Sequence, residues 1–154
     1  MATVKVLVPY NFSVHDFKAF DFIVNMLAGR RDAAVSIFNA YPPAPLIDLT
    51  SNPELSKMKG GLLLLSEELK RKREGLEIAK QYLTTRGFSA DQIDIVFKKR
   101  EKTIAEEIID AVIKGRYNIV VLTPTPGKVS RLFAKSVHDK ILSTVKDVTV
   151  CIPT

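Results

Sequence analysis

Five apolar segments of strand length alternate with four amphipathic segments of helix length along this chain. Few architectures accommodate that order, and the simplest is a parallel sheet whose successive strands are joined by right-handed crossover helices. Val4 to Pro9 begins the series, because its β-branched residues favour an extended backbone and Pro9 ends the ladder. A helix is predicted at once. Ser13 stands in cap position with Asp16 three residues on, and Phe17, Phe20, Ile23, Val24 and Leu27 recur at helical spacing before Gly29.

The second strand is read at Ala33 to Asn39, followed by a Pro-rich loop from Tyr41 to Asn52. Asn52 and Pro53 form a helix start signal. The second helix then runs to Gly87, with Gly60 and Gly61 as the place where it could bend or break, since two adjacent glycines cost up to about 2 kcal/mol relative to alanines. Ile93 to Phe97 forms the third strand. Thr103 and Glu106 form a capping-box pair for the third helix, whose buried stripe is Ile104, Ile108, Ile109 and Val112 and whose end is Gly115. Asn118 to Thr123 is nearly continuous in apolar residues, as a strand covered on both faces requires. The last helix uses Leu132, Phe133, Val137 and Ile141. Val148 to Ile152 closes the sheet, with Val148, Val150 and Ile152 on one face and Thr149 and Cys151 on the other.

The expected fold is therefore a three-layer α/β sandwich in one domain, residues 1–154, around a five-stranded parallel sheet of Rossmann-like type in the order 3-2-1-4-5. A chain of 154 residues suffices for one domain that buries about 70% of its unfolded surface. Its apolar runs are far shorter than a membrane span, and residues 1–9 carry no charged, apolar leader. The lone Cys151 cannot form an internal disulfide. A cytoplasmic location is the resulting expectation. The net charge of +6 suits anion binding or plain solubility. Its runs at 70–73 and 98–100 are short and each is followed by an acid, with no interleaved aromatic residues, so nucleic acid is not the favoured partner.

In such a sheet the crevice between the carboxyl ends of strands one and four is the default ligand position, which sets Pro9 to Ser13 opposite Thr123 to Ser136. A turn from strand to helix presents N–H groups to an anion. Here Pro124 and Pro126 remove donors from that turn. Gly127 and Lys128 do not make a phosphate loop of the Walker type, because the leading glycine is missing and Val129 replaces the hydroxyl residue. Catalysis has no recognisable constellation either. His15 and His138 lack a sequence-defined carboxylate partner, Cys151 reads as a packed strand residue, and Glu106, Glu107 and Asp110 read as the solvated face of a helix. No catalytic residue and no metal site is assigned.

The opening segment from Val4 to Ser13 and the closing pattern of Ile119 to Leu122, Gly127, Ser136, Val137 and Val148 to Pro153 resemble the universal stress protein (UspA-like) family over nearly the whole length. The resemblance implies a cytoplasmic α/β protein, commonly dimeric, without an established reaction. A subset of that family binds ATP through a Pro-x-Asp-x-Ser turn and a Gly-x-x-Gly, nine-residue, Gly-Ser/Thr motif. Carried onto this chain, Pro9 and Ser13 agree with the turn, but Asn11 replaces its Asp. Pro124 takes the first glycine position, Gly127 keeps the second, and Lys135 takes the third, beside the retained hydroxyl of Ser136. Seven residues, not nine, separate Gly127 from Lys135.

A proline or a lysine in place of glycine blocks phosphate from the backbone, and the mobile charges of Lys128, Arg131 and Lys135 do not replace fixed N–H groups. The resemblance thus implies a noncatalytic stress-response protein without a cofactor, acting through homodimerisation and protein interaction. The implied dimer contact is Val148, Val150 and Ile152 on an edge strand. The alternatives are an ATP-binding member, with magnesium, using Pro9, Asn11, Ser13, Gly127, Lys128, Ser136 and Val137, and an anion- or RNA-associated basic protein.

Overall fold

The computed structural model describes residues 2–43, 55–123 and 137–154. Its elements follow the predicted alternation: β1 Val4–Pro9, α1 Asp16–Leu27, β2 Ala33–Tyr41, α2 Leu55–Thr84, a short 3-10 turn Ala90–Gln92, β3 Ile93–Lys99, α3 Ile104–Gly115, β4 Ile119–Val121, α4 at 137–144 and β5 Thr149–Cys151. The strands form one parallel sheet in the order β3-β2-β1-β4-β5. This is the three-layer, Rossmann-like sandwich with the strand order expected from the sequence.

Strand alternation divides the apolar side chains between two cores. Val6, Val8, Val35 and Ile37 meet Phe20 and Ile23 of α1 and Leu76, Ala79 and Leu83 of α2 on one face. Leu7, Phe38 and Val120 meet Ile108, Ile109 and Val112 of α3 and Ile141 of α4 on the other. The central strand β1 serves both, so Val6, Leu7 and Val8 are all fully buried.

Several boundaries differ from the sequence expectation. Helix α2 continues through Gly60 and Gly61 without a break; the flanking run of leucines supplies the helix propensity that the glycines lack. Strand β2 extends to Tyr41 and β3 to Lys99, because their register pairs Ala40 with Lys98 and Tyr41 with Lys99. Strand β5 is shorter than read, Thr149–Cys151. The expected cap at Asn52 and Pro53, and the packing of Leu132 and Phe133, lie outside the described residues.

Helix α3 starts as predicted. The Thr103 hydroxyl accepts from Glu106 N–H at 3.3 Å, and the Glu106 carboxylate accepts from Thr103 N–H at 3.1 Å. At the other end the left-handed residue is Arg116, at φ 53°, and not Gly115. Gly115 is needed for proximity instead, since a Cβ there would stand 2.3 Å from the Tyr117 ring.

The acids of α3 are not one solvated face, contrary to the sequence reading. Glu107 is buried, and its Oε2 lies 2.9 Å from Nζ of Lys98 on the edge strand β3. Glu106 pairs with Lys140 of α4 at 3.2 Å, and Asp110 pairs with Lys102. The Glu107 and Glu106 pairs tie the helix to β3 and α4.

Candidate functional site

Pairing of β1 with β4 sets the reversal of strand order where the sequence placed it, so the carboxyl ends of these neighbouring strands mark the candidate crevice. Pro9 ends β1 in register with Phe38. Tyr10 continues beyond it, buried, with its N–H donated to Phe38 O at 2.8 Å and its carbonyl accepting from Asn39 Nδ2 at 2.8 Å. Burial, aided by the nearby Asp16 carboxylate, pushes the Tyr10 phenol above its ordinary range. Phe12 then turns the chain in the left-handed region at φ 61°, a conformation costing about 1–2 kcal/mol for a residue with a Cβ. Its ring is held against Tyr10, centroids 4.8 Å apart, and against α2 at Gly75, where a Cβ would come within 2.9 Å.

The turn closes on Asp16. This carboxylate is buried, and its Oδ2 accepts N–H donors from Asn11 at 2.9 Å and Ser13 at 3.0 Å. Half of the capping box foreseen for Ser13 and Asp16 therefore forms. The other half does not, because Asp16 N–H goes to the Ser13 carbonyl at 3.1 Å, while Ser13 Oγ accepts from His15 N–H at 3.2 Å. The two amides that would face an anion in this turn already face one belonging to the chain.

Two other polar atoms at the carboxyl ends of the strands are buried and without a hydrogen-bond partner among the described residues: Asn39 Oδ1 at the end of β2, and Thr123 Oγ1 beyond β4. They flank the end of β1. An acceptor and a hydroxyl in such positions suit the hydroxyl and amine groups of a nucleoside. Asn39 was missed in the sequence reading; its signal was a polar residue on the apolar face of a strand.

Of the residues singled out by sequence, Pro9, Asn11 and Ser13 are brought together at the crevice, with Asn11 exposed. Gly127, Lys128 and Ser136 lie outside the described residues. Val137 is half-buried against the second core, so its side chain serves packing. Asn39 Oδ1 and Thr123 Oγ1 thus offer polar groups at the strand ends, whereas Asp16 occupies two of the first turn's N–H donors and sets its carboxylate beside them.

The remaining candidates are dispersed. His15 precedes α1, and His138 lies on α4, where burial draws its imidazole below the ordinary value, partly offset by Asp139. Burial likewise raises the Cys151 thiol. Among the described residues no three His, Cys, Asp or Glu side chains converge to hold a metal ion. No described helix is long and apolar enough to cross a membrane. At the edge strand β5, Val148 just before it and Val150 within it pack half-buried against the chain's own second core, and Ile152 just after it is 37% exposed.

A family model described as the universal stress protein family matches residues 3–151. No curated protein matches the chain in sequence. Among solved structures, a universal stress protein family member from Burkholderia pseudomallei is similar over 97% of this chain and 96% of its own, with a TM-score of 0.67 and 16% identity. The universal stress protein from Archaeoglobus fulgidus in complex with dAMP aligns over 100% of both chains, with a TM-score of 0.66 and 14% identity. A universal stress protein in complex with cAMP aligns over 100% of this chain and 98% of its own, with a TM-score of 0.65 and 15% identity. At these identities the structural likeness concerns the fold.

Proposed function

This chain belongs to the universal stress protein family, and from that premise we propose that it is a noncatalytic cytoplasmic stress-response domain that acts through homodimerisation and protein interaction, with a crevice no longer suited to tight ATP binding. The observation that carries the reading is the first turn, where Asp16 accepts the N–H groups of Asn11 and Ser13. A phosphate or metal-bound nucleotide approaching there meets a fixed carboxylate that already holds the N–H groups of Asn11 and Ser13. The substitutions Pro124 and Lys135 act in the same direction at the other side of the motif. The outer edge of β5 supports the dimer: Thr149 N–H and Cys151 O pair inward with β4, so the backbone groups of Val150 face outward.

A second reading, an adenine-nucleotide-binding member, is favoured by the unpartnered Asn39 Oδ1 and Thr123 Oγ1, and by the relatives whose structures contain dAMP and cAMP. Titration calorimetry with magnesium-ATP separates the two. The first reading expects no saturable signal below about 0.1 mM, equivalent to about 5.5 kcal/mol of binding free energy. A stoichiometric micromolar isotherm overturns it in favour of a ligand held at Pro9, Asn11, Ser13, Asn39 and Thr123.

A further inference from the structure

We propose that the carboxyl ends of β2 and β3 form a platform for single-stranded nucleic acid, built from Tyr41, Phe97, Arg73, Lys99 and Arg100. No short window of the sequence interleaves aromatic and basic residues, but the fold does. The register sets Tyr41 beside Lys99 and Asn39 beside Phe97. Alternation puts Tyr41, Phe97 and Lys99 on the sheet face covered by α2. The Tyr41 and Phe97 rings lie with centroids 4.6 Å apart, and Arg73 of α2 reaches over Phe97 with its guanidinium 5.7 Å from the ring centroid. As the chain leaves β3, Arg100 N–H donates to Tyr41 O at 2.8 Å, which fixes the basic segment beside the aromatic pair.

The charges here divide into two sets. Lys98 and Lys102 are engaged with Glu107 and Asp110. Arg73, Lys99 and Arg100 have no acidic side chain within ion-pair distance among the described residues, and Arg73 and Lys99 are exposed. A half-buried ring pair with a guanidinium over it offers stacking to a base, while Lys99 and Arg100 offer point charges to the adjoining phosphates. An acidic peptide would use the cations but has no need of paired aromatic faces; a single strand uses both. Because β3 is a sheet edge, the strand can track along it without meeting another β-strand.

The test uses the full chain and a fluorescein-labelled oligouridylate of roughly twelve nucleotides, a length within the range that such platforms cover. Anisotropy should show binding that weakens with salt, with a log–log slope of about −2 for three phosphate contacts on a single strand. The exposed double substitution Arg73→Ala/Lys99→Ala should cut the slope by about 1.4 and weaken binding about tenfold at low salt. Tyr41→Leu should weaken oligouridylate binding and leave polyglutamate binding unchanged. Absence of binding at low salt, or an unchanged affinity in the double variant, overturns the proposal. Equal affinity for polyglutamate together with indifference to Tyr41→Leu assigns the patch to acidic protein segments instead. Should Tyr41→Leu fail to fold, the exposed charge variants together with the affinities of the parent protein for oligouridylate and polyglutamate decide the matter, equal affinities overturning the proposal.

Discussion

Lys98→Met removes the only cation placed against Oε2 of Glu107 among the described residues and leaves the carboxylate inside the interface between β3 and α3. The side chain of Glu107 is 1% exposed and that of Lys98 is 44% exposed, so the pair is lopsided: almost all of the desolvation falls on the acid. Breaking a buried pair by deleting one partner costs about 3–5 kcal/mol when both ions are enclosed. Because the lysine faces solvent, the expected loss is smaller, about 2–3 kcal/mol. For a domain of this length that lowers Tm by about 4–12 °C. Glu107→Gln should cost far less, because it keeps the shape, discards the buried charge and releases Lys98 to water. The double variant Lys98→Met/Glu107→Gln should then resemble Glu107→Gln alone. Equilibrium urea unfolding of the parent and the three variants at neutral pH measures all the terms of this cycle. Additive effects, or a Lys98→Met protein within about 0.5 kcal/mol of the parent, would show that the carboxylate is not stabilised by this lysine.

Other consequences can be measured independently. Gly115→Ala forces a Cβ into the Tyr117 ring, which its hydroxyl bond to Ser36 Oγ at 2.7 Å and the Lys5 ammonium 4.9 Å from its centroid hold in place; overpacking of about 1–3 kcal/mol should exceed the helix-propensity gain of about 1 kcal/mol, and a stabilised protein in thermal melts would refute this. His138 has a folded-state pKa below its unfolded value, so the unfolded chain takes up the proton first as pH falls; the stability it confers is complete above about pH 7 and declines as pH falls through about 6.5. The difference in Tm between pH 7.5 and 5.5 should therefore be larger for the parent than for His138→Gln, and equal differences would falsify the assignment. The proposed dimer should scatter light as twice the 17.2 kDa chain mass at tens of micromolar, and Ile152→Lys should shift it toward monomer. That position is the better probe than Val150, which packs partly on its own core; a parent that stays monomeric would reject the dimer.

What the sequence revealed was local in origin. The cap of α3 could be read from Thr103 and Glu106 because both halves of the motif lie within one turn, and the two cores followed from alternation within strands and helical spacing between them. Glu107 was misread for the converse reason: its neighbours in sequence are acids, and nothing within α3 announces that Lys98, on another element, will neutralise it. The ends of β2 and β3 were set too early on the same account, since Lys98 and Lys99 look like the start of a loop until their register with Ala40 and Tyr41 is known.

The crevice carries this argument furthest. A family motif states which residues stand at a turn, but not whether the turn's donors remain free. Asn11 and Ser13 have the right address beside β1, yet their N–H groups are already directed to Asp16, which lies at a position the Pro-x-Asp-x-Ser pattern does not specify. On the proposed reading, returning an aspartate to position 11 adds a second carboxylate to a turn folded around the first, where like charges oppose one another, so calorimetry of Asn11→Asp with magnesium-ATP is expected to show no gain in affinity. The amide at Asn11 is compatible with that arrangement because it adds no charge. The buried acid at Asp16 and the N–H groups of Asn11 and Ser13 thus form one hydrogen-bonded turn.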